Sequence, residues 1–142
     1  VRGLIEKSNV AFIGTTDDPL DSLEWHGKLR EDKTIQTTVA PSFRPDKALN
    51  IEKTGWCDYI KALTEVSGIE INCVEALKKA LYMRMEYFKT YGCKSSDHGL
   101  DYMMYRTFTP DEIETVFQKG LKKDVLSVEQ IETLDVIIEI RE

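Results

Sequence analysis

Apolar residues in this chain fall into two patterns, short blocks and long stretches with helical spacing. Residues 10–15 (VAFIGT) and 35–40 (IQTTVA) are short, rich in β-branched or aromatic side chains and bounded by turn residues, which predicts two strands. A weaker third candidate covers residues 93–96. From Cys73 onward Val74, Leu77, Leu81, Met85 and Phe88 recur at helical spacing, and Asn72 with Glu75 reads as the cap of that helix. Gly92 is its stop. A helix over about 54–66 precedes it, followed by Gly68. Thr109-Pro110-Asp111-Glu112 opens another that Gly120 closes, and Ser127 with Gln130 opens the last. Asp18, followed by Pro19 and Asp21, reads as the N-cap of a helix after the first strand. The order is strand, helix, strand, two helices, weak strand, two helices, the alternation of an α/β parallel sheet. A closed (β/α) barrel takes ~250 residues, so 142 residues can supply only part of one.

Each strand candidate ends in a polar group: TTDDP, then APSFRPDKAL, then SSDHGLD. In wound sheets and barrels chemistry collects beyond the carboxyl ends of the strands, where loops converge. Pro45 biases Arg44 toward an extended backbone, and a guanidinium held there can grip a carboxylate or phosphate through paired hydrogen bonds. It can equally form a structural pair with Asp46 or another acid. His98, beside Asp97, is suited to proton transfer, metal ligation or plain hydrogen bonding. His26 lies within the expected first helix and reads as a surface residue. A cap role accounts for Asp18 and leaves Asp17 unexplained. Tyr102 to Arg106 (YMMYR) reads as core.

Composition narrows the partners. A net charge of −6 argues against nucleic acid, whose phosphates need a basic face. No apolar run reaches membrane-spanning length, and the first residues lack a signal-peptide core. Three widely spaced cysteines, Cys57, Cys73 and Cys93, suggest reduced thiols and a cytoplasmic setting. Two adjacent aspartates are too few for a hard cation and no HxH or HExxH occurs, so no metal is expected on this chain alone. The opening Val1 and the uncapped amphipathic ending LDVIIEIRE read as cuts through a longer polypeptide.

FIGTTDDPLDSLEWH, VAPSFRPDKALNIE and GCKSSDHGLD, in this order, resemble the uronate (glucuronate) isomerases of the amidohydrolase superfamily. The resemblance runs through nearly the whole chain. It implies a helix-rich segment of a (β/α)8 TIM-like barrel, with residues 1–142 covering approximately strands four to six. It also implies part of an aldose–ketose isomerase of hexuronate catabolism, interconverting D-glucuronate with D-fructuronate and D-galacturonate with D-tagaturonate. The substrate-binding residues would be Arg44, on the sugar carboxylate, and Asp17; His98 would be catalytic. A divalent metal, often zinc, would sit in the complete enzyme on an HxH pair and an aspartate that this chain lacks, and the segment alone should be inactive. The complete enzyme would be a homo-oligomer. The alternatives are a metal-dependent hydrolase of the same superfamily and a non-enzymatic uronate-binding module. The strand count further predicts an uncovered apolar sheet face.

Overall fold

The computed structural model describes residues 1–99, 108–127 and 130. Among them the order is α1 (Arg2–Lys7), β1 (Phe12–Asp17), α2 (Glu24–Glu31), β2 (Thr38–Phe43), α3 (Asp46–Leu49), α4 (Trp56–Ser67), α5 (Val74–Thr90) and α6 (Pro110–Leu121). They divide into two compact units. Unit 1 is Val1–Arg44 with Arg84–Asp97, and unit 2 is Pro45–Met83 with His98–Glu142. The YMMYR stretch and most of the last expected helix lie outside the described residues. The predicted Ser127–Gln130 capping box is formed, through reciprocal bonds of 3.1 and 3.3 Å.

In unit 1 the two strands pair in parallel, Phe12 opposite Thr38 through Asp17 opposite Phe43. Both strands lie further along the chain than the sequence predicts, β1 by two residues and β2 by three, and Pro41 does not end β2. Thr38 N–H donates to the Ala11 carbonyl and Arg44 N–H to that of Asp17, whereas Phe43 N–H turns the other way, to Ser95. Even-numbered residues of β2 therefore face β1, and the missing N–H of Pro41 costs that ladder nothing. It does withhold a donor from the opposite side. There the expected strand at 93–96 is a single parallel bridge between Phe43 and Ser96.

Alternate residues share a face. Ile13, Thr15 and Asp17 lie with Val39, Pro41 and Phe43 on the helix side, where the Phe43 ring meets Phe88 of α5 edge-on at 5.1 Å. Phe12, Gly14 and Thr16 lie on the other side. Phe12 is 56% exposed there, whereas Ala40 and Ser42 on the same side are buried, so the expected uncovered apolar face is reduced to one exposed side chain.

The expected helix at Asp18 begins later, at Glu24. Asp18 Oδ1 accepts the Leu20 N–H at 3.0 Å, and Asp21 Oδ1 accepts the Leu23 N–H at 2.6 Å. These side chains bond two residues ahead, which makes turns instead of a cap. Leu23 takes the position before α2 in a left-handed conformation (φ 53°) with its side chain buried, a strained place for leucine that its surroundings must hold. The loop is held from α5. Arg84 donates to the carbonyls of Pro19 and Asp21 (2.6 and 2.8 Å), and the Tyr87 hydroxyl donates to that of Ser22 (2.6 Å).

Unit 2 is helical. α4 ends at Gly68 with φ 69°, as predicted. α6 begins with the predicted Thr109–Glu112 capping box, with Pro110 in its first turn. Gly120 is not its stop but lies inside it: a Cβ there would sit 2.1 Å from Ile51 Cδ1 and 3.3 Å from Trp56 Cζ3, so only glycine lets these groups approach. Trp56 is buried, donates to the Ala48 carbonyl at 2.8 Å and meets Phe117 edge-on at 5.5 Å. At the start of α5 the Val74 N–H is taken by Glu114 of α6 at 2.9 Å, in place of the expected local cap. The three cysteines are free thiols.

Candidate functional site

Asp17 is the last residue of β1. Its Oδ2 accepts the Thr15 hydroxyl at 2.6 Å and lies 3.8 Å from Nε2 of His26. That same nitrogen is 2.7 Å from Thr15 Oγ1. His26 is therefore no surface residue: it is 9% exposed and turned from α2 onto the sheet. Spacing along the chain gave no signal for this, because Leu23, three residues earlier, precedes α2 in a left-handed conformation and the partners of His26 lie on β1.

One residue beyond β2, Arg44 donates its backbone N–H to the Asp17 carbonyl at 3.0 Å. Its guanidinium engages the carboxylate of Asp97, which also meets the Ser42 hydroxyl at 3.4 Å. Of the acids open to a structural pair, the guanidinium engages Asp97. Both side chains of the pair are more than a third exposed, at 39% and 37%, so the arrangement is a carboxylate-binding guanidinium open to solvent at the end of a strand.

In unit 2, His98 Nδ1 lies 3.0 Å from Asp46 Oδ1, and the other carboxylate oxygen accepts the Gly99 N–H at 2.8 Å. A carboxylate only accepts, so Nδ1 carries a proton and Nε2 is the nitrogen left for chemistry. Asp46 is the first residue of α3, where a carboxylate also suits the positive helix end. Asp17 and Arg44 are thus joined directly in unit 1, while His98 has its own partner in unit 2.

Among the described residues no three His, Cys, Asp or Glu side chains come together as a metal would require. Each histidine has one aspartate beside it, a set too small for a closed or catalytic site. These residues do not fit a resident metal, and nothing in the chemistry assigned to them passes through one. No helix is long and apolar enough to cross a membrane, again among the described residues.

The family model for glucuronate isomerase matches residues 1–139. Uronate isomerase of Lachnospira eligens is 49% identical over 131 residues, covering 92% of this chain and 28% of that protein. The crystal structure of uronate isomerase from Thermotoga maritima has a TM-score of 0.89 at 29% identity, over 96% of this chain and 30% of that one. Glucuronate isomerase from Caulobacter crescentus gives 0.82 at 27% identity, over 94% and 27%. The chain spans about 28% of the length of the curated relative from Lachnospira eligens. It belongs to the glucuronate isomerase family.

Proposed function

We propose that this chain is an internal segment of a hexuronate isomerase, an aldose–ketose isomerase acting on D-glucuronate and D-galacturonate by moving a proton between C2 and C1. The segment supplies approximately strands four to six of a single (β/α)8 barrel of the amidohydrolase type, and the complete enzyme is a cytoplasmic homo-oligomer. Arg44 grips the sugar carboxylate. Asp17 serves that site from the end of the neighbouring strand, and His98 offers Nε2 to the substrate as a hydrogen-bonding or proton-carrying group. The complete enzyme holds its divalent metal on ligands outside this chain.

The observation that carries this reading is the Arg44 guanidinium at the carboxyl end of β2, engaged with the carboxylate of Asp97. A group already shaped around an internal carboxylate is suited to a uronate carboxylate at the same atoms.

The test is a substrate panel on the complete enzyme, followed by Arg44→Ala. Turnover of glucuronate and galacturonate is expected. With Arg44→Ala, kcat/KM should fall about a hundredfold, the ~3 kcal/mol typical of losing one partner of a charged pair. Hydrolysis of lactones or esters without isomerisation points to the hydrolase reading. Saturable uronate binding without turnover points to the binding module.

A further inference from the structure

His26 is a buried histidine to which the function above gives no task. We propose that it positions the substrate-gripping guanidinium: His26 fixes Thr15, Thr15 fixes Asp17, and Asp17 fixes the backbone from which Arg44 leaves the sheet. This inference rests on the reading of Arg44 as the group that binds the sugar carboxylate.

The direction of the chain follows from counting protons. Thr15 has one hydroxyl proton and three neighbours, the Asp17 carboxylate at 2.6 Å, His26 Nε2 at 2.7 Å and the Ala40 carbonyl at 3.4 Å. The carboxylate is the closest and can only accept, so the proton goes to Asp17. The hydroxyl oxygen then receives the Nε2–H of His26. The two side-chain bonds from helix to strand end thereby have a direction, and each link restricts the next.

Asp17 is bound at both ends. Its side chain is tied to α2 through Thr15, and its carbonyl accepts the Arg44 N–H at 3.0 Å. A shift of the Asp17 carboxylate therefore drags the peptide that holds Arg44. The inner end is firm: His26 is 9% exposed, and the loop before its helix is held at three carbonyls by Arg84 and Tyr87. The outer end needs such an anchor. The Arg44 side chain is 39% exposed and long, so its aim depends on its root as well as on the Asp97 carboxylate at its tip. The lone pair of polar side chains in a strand end would not require a histidine behind it, whereas a guanidinium aimed at a ligand does gain from a fixed base.

The experiment is a double-mutant cycle on the complete enzyme with glucuronate as substrate. His26→Leu should raise KM roughly tenfold and change kcat by less than threefold, because ground-state grip is lost before chemistry. His26→Gln, whose amide N–H can stand in for Nε2–H, should restore most of the KM. In the Arg44→Ala background His26→Leu should have no further effect on KM. Thr15→Val, which keeps the side-chain shape and removes the hydroxyl, goes through the same cycle should His26→Leu not fold. If Arg44→Ala leaves KM unchanged, the carboxylate-binding reading fails. If Arg44→Ala raises KM but the His26 and Thr15 variants act equally in both backgrounds, or not at all, that reading stands and the positioning role is overturned.

Discussion

The two units keep their interiors differently. In unit 1 the buried residues include four polar side chains, His26, Thr37, Ser42 and Arg84, and its buried hydrophobic residues are Leu23, Ala40, Phe43 and Phe88. Among its described residues unit 2 buries apolar groups, including Ile51, Trp56, Leu63, Leu77 and Phe117. An apolar interior gains from area removed from water and tolerates approximate fit, although each lost methylene is felt. A polar interior is stable only when its donors and acceptors are matched, since an unpartnered buried group costs more than a bond contributes. Unit 1 therefore trades tolerance for definition. It is also the unit that carries Arg44 and Asp17, the groups assigned to the sugar carboxylate's end of the site.

Three changes rank this contrast. The largest effect is expected in unit 2 from Phe117→Ala, which opens a cavity beside Trp56. Denaturant unfolding of the chain followed by circular dichroism should show a loss of about 3–5 kcal/mol, and a loss near zero would mean that this interior collapses freely. Next is Thr15→Val in unit 1. It removes no volume, yet leaves Asp17 and His26 without the hydroxyl between them, and should cost about 1–3 kcal/mol in the same assay. A cost matching an exposed substitution would erase the distinction between the units.

The smallest effect belongs to Asp32, an exposed acid of unit 1. The Thr34 hydroxyl, followed by its backbone N–H and the nearby Arg2, holds this carboxyl below its ordinary value of 3.8. A lowered native value contributes stability above the unfolded value and loses it as pH falls through the native one. The stability difference between the parent chain and Asp32→Asn should thus be small at neutral pH and vanish in acid. A difference that grew on acidification would reverse the assignment. If it exceeded that of Thr15→Val, exposure rather than burial would govern the polar contacts of unit 1.

This contrast also governs how much could be read beforehand. The helices of unit 2 follow from spacing and caps: Gly68 ends α4, and Thr109 with Glu112 begins α6. Gly120 misled because a glycine inside a helix and one after it look alike in sequence, and only the nearness of Ile51 tells them apart. In unit 1 the parallel strands and the exposed guanidinium of Arg44 were legible. The task of Asp18 was not, because aspartate caps a helix or ties a turn with the same atoms. Nor was the place of His26, whose partners Thr15 and Asp17 lie on another element and meet it only after the sheet has formed. Partners of buried polar groups are set by tertiary contact, and spacing along the chain carries little record of them.

The chain has two tryptophans, and they fall one to each unit. Trp56 is buried, edge-on to Phe117 and hydrogen-bonded to the Ala48 carbonyl. Trp25 is 68% exposed, with the Lys28 ammonium 4.0 Å above its ring. Their fluorescence should differ in colour and in access to quenchers, with Trp25 emitting to the red and open to iodide and Trp56 shielded from it. The molecule thus carries a separate optical reporter for its polar unit and for its apolar one, and Trp25→Phe or Trp56→Phe would leave each to be followed alone during unfolding.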